Sequence, residues 1–332
     1  MKRPTTPVIA AGVLALTLAG CGVGSTLAGV NDAAPAQVTT TAPIDAQSAQ
    51  KIAERVMARA DEAAAAPVAE ARALREQALT GSALAVATAA SKLQTGPSPT
   101  APSLPLTRSE SPKVLAISRG TTFPRLILVQ TTTSEGAARL NLLTSPDATT
   151  PFRLSTSVTM APGTQVAALD SVASGSPMVT DGTKLGVAPA DLVTQYAASL
   201  DYPKPANAAD VEPGDPFATS VRANAAAQAK AFGKLAKLTQ KHTAQPRQTV
   251  SIALRGGGAL VFSLLERTDT ITLAAGGKSL TPSAEFQRLV RKKALSRSAE
   301  LKSYETVVFT VPASGKAGVV GADEVLFSAK GT

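Results

Sequence analysis

Lys113 to Met160 reads KVLAISRGTTFPRLILVQTTTSEGAARLNLLTSPDATTPFRLSTSVTM, and this run decides the fold class. Val114–Ser118, Arg125–Thr132, Leu140–Thr144 and Phe152–Met160 are short and rich in β-branched and apolar residues. Turn signals such as Arg119-Gly120 and Ser145-Pro146-Asp147 separate them, the pattern of an antiparallel meander. Upstream the period is helical. Asp45 is suited to N-cap a helix carrying Ile52 and Val56 and ending near Ala66, followed by helices from Val68 to about Leu79 and from Ser82 to Leu93. Pro97, Pro99, Pro102, Pro105 and Pro112 exclude helix interior from Thr95–Pro112, which reads as a surface crossing.

The order repeats downstream of Gly175–Gly182. Pro189 opens a helix through Tyr196, and Asp215-Pro216 opens a longer one expected to run to about Lys241 or His242. Strands are expected at Thr249–Leu254, Ala259–Thr268, Glu300–Val311 and Ala317–Ser328, with Gly256-Gly257-Gly258 as a hairpin and a short helix at Ala284–Val290. Helices, meander, helices, meander predicts α+β architecture: two tandem domains, 44–181 and 182–332, each with helices packed on a curved antiparallel sheet of about four strands.

The N-terminus gives a location. Lys2 and Arg3 precede an apolar run from Val8 to Ala19 that ends in Leu18-Ala19-Gly20-Cys21, a lipobox. Residues 1–20 are therefore expected to be a cleaved lipoprotein signal peptide. Cys21, the single cysteine, is the expected lipidation site, with diacylglycerol on the sulfur and a fatty acid such as palmitate on the new amino group. Residues 21–43, rich in Gly, Ala, Thr and Pro, read as a tether. The mature chain is expected on the outer face of the cell membrane, anchored by lipid. Cleavage lowers the formal charge from +9 to +7 by removing Lys2 and Arg3.

A basic chain often binds nucleic acid. The extracytoplasmic location argues against that partner here, as does the absence of Trp and an aromatic content of 3%. At 100° per residue, Lys234, Lys237 and Lys241 fall about 40°, 340° and 20° from Lys230 on the expected long helix. They form a basic stripe that is either a solvated face or a contact for anionic lipid or wall polymer.

Enzyme signatures are sparse. Ser48-Ala49-Gln50-Lys51 matches Ser-x-x-Lys without its companion motifs, and no nucleophile elbow or phosphate loop is present. No catalytic residue and no metal ligand is assigned. One histidine and one lipidated cysteine exclude a conventional Cys/His zinc site within the chain. His242 is expected to cap the basic helix, and Asp215 to N-cap it. Asn207, Asp210, Glu212 and Asp215 lack the spacing of a calcium loop.

The element order is similar to the cystatin-like and nuclear-transport-factor-like folds. The stretches Phe123-Pro124-Arg125, Leu143 to Asp147, Phe152, Pro162-Gly163, Tyr196 to Leu200, Gln240 to Thr243 and Leu265 to Thr268 together resemble a family of actinobacterial envelope lipoproteins of unknown function. The resemblance implies a lipoprotein with an extracytoplasmic soluble region and carries over no catalytic residues. Three functions stay open: a noncatalytic module that binds or assembles an envelope partner, a carrier of a lipid or other apolar ligand in an internal cavity, and an enzyme of unrecognised type. An apolar cavity favours the carrier, a flat basic face the binder, and a cleft of convergent buried carboxylates the enzyme.

Overall fold

The computed structural model describes residues 40–66, 68–93, 111–179, 185–275 and 279–332. The signal peptide, the lipobox with Cys21, the tether up to residue 39, most of the proline-rich crossing and the boundary at 181/182 lie outside the described residues. The last part of the expected tether is pinned to the body: Thr41 accepts from Gly120 N at 3.0 Å, and Ala42 N donates to Ala173 O at 3.1 Å.

Asp45 caps α1 (Ala46–Ala65), its Oδ1 accepting from Ser48 N at 2.8 Å. The helix buries Ala49, Ala53, Val56, Met57, Ala60 and Ala63, an i, i+3/i+4 stripe. Helices α2 (Val68–Ala78) and α3 (Gly81–Leu93) follow. Strands β1 (Lys113–Ile117), β2 (Arg125–Thr132), β3 (Ala138–Ser145) and β4 (Arg153–Thr159) then form the expected four-stranded antiparallel meander.

The downstream half begins with α4 (Pro189–Ser199) and α5 (Pro216–Phe232). Its strands are β5 (Ala236–Ala244), β6 (Val250–Ala253), β7 (Ala259–Leu273), β8 (Ser298–Val311) and β9 (Gly318–Gly331), with α6 (Ala284–Val290) before β8. The order is β5-β7-β8-β9, and β6 pairs with the early part of β7, on the sequence beside its hairpin. The architecture is α+β, as expected, but this sheet has five strands rather than about four. The fifth, β5, occupies the run expected to be helix.

That helix ends at Phe232 and not at His242. Gly233 takes φ 53° and ψ −123° at the C-cap, a conformation that suits glycine. From Ala236 the burial alternates, with Ala236, Leu238, Gln240 and His242 inside and Lys237, Lys241 and Thr243 outside. A period of two is strand geometry. The lysine spacing imitates a helix by coincidence.

Each sheet is covered on both faces. On the first, Ile127, Val129, Leu143 and Leu154 pack against α1 to α3, while Leu126, Leu128, Leu140 and Val158 point the opposite way. On the second, Val261, Leu265, Val307 and Phe309 meet α4 and α5, while Leu260, Phe262, Val308 and Ile252 point away. The two outward sets are one cluster. The sheets therefore share a buried core and the layers run helix, sheet, sheet, helix. Continuous apolar runs such as Leu126-Ile127-Leu128-Val129 follow from burial on both faces.

Backbone contacts lock the sheets together at their rim. Ala161 N donates to Val320 O at 2.8 Å and Val179 N to Ser251 O at 2.9 Å. At Gly321 a Cβ would lie 2.3 Å from Thr159 O, so the approach excludes any larger residue. Buried Arg139 reaches Asp323 Oδ2 at 3.1 Å, and the same oxygen accepts from Thr159 N at 2.9 Å. Burial lowers the Arg139 pKa, and Asp323 opposes that shift. Among the described residues no helix is long and apolar enough to cross a membrane.

Candidate functional site

The face of the second sheet toward α4 and α5 carries the odd-numbered residues of β7 and β8 and the even-numbered residues of β5. Near the β6–β7 hairpin this face is apolar. Farther along, the cross-strand rows become Ala244–Leu265–Glu305, His242–Arg267–Ser303 and Gln240–Asp269–Leu301. Apolar packing resumes with Ile271 and Ala299.

Arg267 organises the polar rows. Its Nη1 lies 3.1 Å from Glu305 Oε1 and 2.6 Å from Glu324 Oε2 on β9, and its Nε lies 3.2 Å from Asp269 Oδ2. One guanidinium serves three carboxylates. The Glu305 and His242 side chains are fully buried, with His242 Nε2 3.4 Å from Glu305 Oε1 and Nδ1 3.5 Å from Asp201 Oδ1. Asp201, just past α4, also accepts from His242 N at 2.8 Å and pairs with Lys241 Nζ at 2.6 Å. Tyr196 on α4 donates its hydroxyl to Asp215 Oδ1 at 3.0 Å and packs edge-on against Phe309, with ring centroids 5.0 Å apart.

Burial dominates the electrostatics. It pulls Arg267 down, but Asp269, Glu324 and Glu305 more than reverse this and hold the guanidinium pKa above its ordinary value. Burial raises the Asp269 carboxyl, with Arg267 and then His242 opposing the shift. The Tyr196 hydroxyl is raised by burial and then by Asp215, so it remains a neutral donor. Asp269 Oδ1 is buried and has no hydrogen-bond partner.

Asp269 also lines a pocket of ≈ 370 Å³ at this end of the sheet. Gln228 and Phe232 form the α5 side, Phe286 the α6 side, and Ile271, Ala299 and Leu301 the floor. Leu280 and Leu295 pair through their backbones at 2.9 Å in both directions and close the rim. The volume is within the range of small-molecule sites, and the lining is mostly apolar with one buried carboxylate.

The expected site residues scatter. Lys230 is exposed on the last turn of α5, Lys234 follows Gly233, and Lys237 and Lys241 project from the outer side of β5. They do not form one helical stripe. Leu235, between Lys234 and the start of β5, is 60% exposed. His242 is not a helix cap but a buried strand residue. Asp215 does cap α5, accepting from Ala218 N at 2.8 Å, and Asp210 accepts from Gln195 Nε2 at 2.8 Å, so two of the three carboxylates of the Asn207–Asp215 loop have protein partners. Cys21 and the lipobox lie outside the described residues. Arg267, Asp269 and Glu305 were not singled out from the sequence, although they share parity with Val261, Leu265, Val307 and Phe309 along their strands. Three stretches that carry the sequence resemblance, Tyr196–Leu200, Gln240–Thr243 and Leu265–Thr268, meet at this cluster.

A family model described as a domain of unknown function, DUF8094, matches residues 42–331. The chain belongs to that family. No curated protein and no solved structure matches it. The matched span includes every element of both sheets and the whole charge cluster.

The cluster predicts a sharp asymmetry between arginines. Arg267→Met leaves Glu305 buried without its cation and is expected to lower the unfolding free energy by about 3–5 kcal/mol. Arg72→Met removes an exposed i, i+4 partner of Glu76 and is expected to leave the urea midpoint unchanged. Equal midpoints for the two variants would show that the Arg267 cluster is solvated rather than buried.

Proposed function

We propose that this chain is a lipid-anchored, extracytoplasmic, noncatalytic binding protein of the actinobacterial cell envelope, and that it holds a small apolar ligand in the pocket beside Asp269. The pocket itself carries the reading: a cavity of ≈ 370 Å³ walled by Phe232, Ile271, Phe286, Leu295 and Leu301 favours a carrier among the three functions the sequence leaves open. The lipobox Leu18-Ala19-Gly20-Cys21 supports the anchor, with diacylglycerol and a fatty acid on Cys21 and tandem α+β domains beyond the tether. The noncatalytic reading draws on His242. Both of its ring nitrogens face carboxylates and it does not line the pocket, and of the carboxylates around Arg267 only Asp269 does, so neither the single histidine nor a convergent pair of carboxylates faces a bound ligand.

A second reading, contact with anionic lipid, wall polymer or another envelope protein, draws on one observation. Leu235 is 60% exposed in the segment that also carries exposed Lys230, Lys234 and Lys237. An apolar tip flanked by cations suits an anionic interface.

Two measurements test the proposal. Cys21→Ala is expected to move the protein from the membrane fraction to the precursor pool or the medium, and retention of the variant after a high-salt wash would contradict the anchor. The neutral fluorophore N-phenyl-1-naphthylamine is expected to brighten on a single site and to lose most of that gain in Ala299→Leu, which extends a side chain into the pocket. Binding indifferent to Ala299→Leu, or no binding, would place the function elsewhere.

A further inference from the structure

Resting on the pocket reading above, we infer that the pocket exchanges its ligand directly with an anionic lipid bilayer, on which the α5–β5 turn and the segment after α6 dock together. The first observation is where the charge of the chain lies. Residues 228–237 and 279–297 hold eight lysines and arginines against one carboxylate side chain, Glu285, a net of +7. That equals the formal charge of the whole chain from Cys21 onward, so the remaining residues balance. Backbone bonds gather the two segments at one end of the second sheet: Ala274 N donates to Leu235 O at 2.8 Å, and Leu273 N to Arg297 O at 2.9 Å. Lys330 and Glu300 at this end pair at 3.0 Å, but Lys230, Lys234, Lys237, Arg291 and Lys293 are exposed and make no ion pair among the described residues.

The second observation is that this end is also the pocket rim. Phe232 and Leu295 wall the pocket, and each has exposed cations two residues away on either side, Lys230 and Lys234 for one, Lys293 and Arg297 for the other. The exposed lining residues are Gln228, Thr281 and Ser283, so the mouth lies between α5 and the segment ahead of α6. The third is Leu235, which lies between Lys234 and Lys237 and is the one large apolar side chain exposed among the described residues. Cations at the level of the phosphates with an apolar residue beneath them suit a bilayer interface, whereas a soluble polyanion offers Leu235 nothing. An apolar ligand also partitions into a bilayer rather than into a hydrated polymer, so the surface that attracts the rim is the one that holds the ligand. Residues 21–39 span at most about 65 Å. A body anchored at Cys21 is thus held within reach of the bilayer, and the charge selects the end that meets it.

Ligand transfer tests this on the unlipidated chain from residue 21, made with Cys21→Ala, loaded with N-phenyl-1-naphthylamine and mixed with vesicles that carry a lipid-linked quencher. The transfer rate is expected to rise in proportion to vesicle concentration, and to be about tenfold faster or more into vesicles with about 30 mol% phosphatidylglycerol than into pure phosphatidylcholine. Salt at about 0.5 M, where screening shortens to roughly 4 Å, is expected to abolish that preference. The combined Lys230→Gln, Lys234→Gln and Lys237→Gln variant should abolish it at low salt, at little cost in stability because the positions are exposed. Leu235→Ser should slow transfer severalfold. Should the lysine variant not fold, the salt series on the wild-type chain is sufficient. A rate indifferent to vesicle concentration and charge would mean that the ligand leaves through water, which overturns the docking and leaves the pocket reading intact. Transfer unchanged in Leu235→Ser, with soluble polyglutamate bound as tightly as vesicles, would assign this end to a polyanion and overturn the bilayer. If the fluorophore does not bind at all, the pocket reading falls, and flotation of the chain with the same two vesicle types tests the docking by itself: equal flotation would overturn it.

Discussion

Two sheets, each covered by helices on one face, retain a second apolar face apiece, and the molecule depends on burying those faces against each other. Leu126, Leu128, Leu140 and Val158 from one sheet meet Leu260, Phe262, Val308 and Ile252 from the other. At about 1.5–3 kcal/mol for each large side chain fully buried, no surface interaction in the protein competes with this contact. It dictates apolar strands without alternation, the glycine at Gly321 where backbones meet, and the Arg139–Asp323 pair at the rim. It also makes a rigid platform of β7 and β8.

The site lies where that platform changes chemistry. Toward the hairpin, β7 and β8 are buried on both sides by hydrocarbon. Past Leu265, the side facing the other sheet gives way to partly exposed Glu266, Thr268 and Thr270, while the helix side still buries Asp269 and Glu305 and leaves the Arg267 side chain 14% exposed. Burying these charges costs desolvation that their mutual attraction roughly offsets, so the cluster does not account for itself as a source of stability. Its position beside the pocket does. The same array leaves both Asp269 Oδ1 and Arg267 Nε buried without a hydrogen-bond partner.

Much of this was legible in the chain. The Asp45 and Asp215 caps, the first meander and the helix at Ala284–Val290 follow from local signals that tertiary packing reinforces. The second sheet was harder, because Lys230, Lys234, Lys237 and Lys241 recur at helical spacing across a helix, a glycine turn and a strand. Parity was the better guide: Ala236, Leu238, Gln240 and His242 alternate with Lys237, Thr239 and Lys241. Applied to β7, the same parity carries Val261 and Leu265 into Arg267 and Asp269, and applied to β8 it carries Phe309 and Val307 into Glu305. A charged residue continuing an apolar row is the sequence signal of the cluster. The pocket had no such signal, since Gln228, Asp269, Phe286 and Leu301 come together only through the fold.

Calorimetric unfolding of residues 40–332 tests the shared core most directly. If the two sheets bury their second faces against each other, neither half keeps its core when the other unfolds. The account predicts one transition, with equal calorimetric and van't Hoff enthalpies. Two resolved transitions, one for each sheet with its own helices, would contradict it.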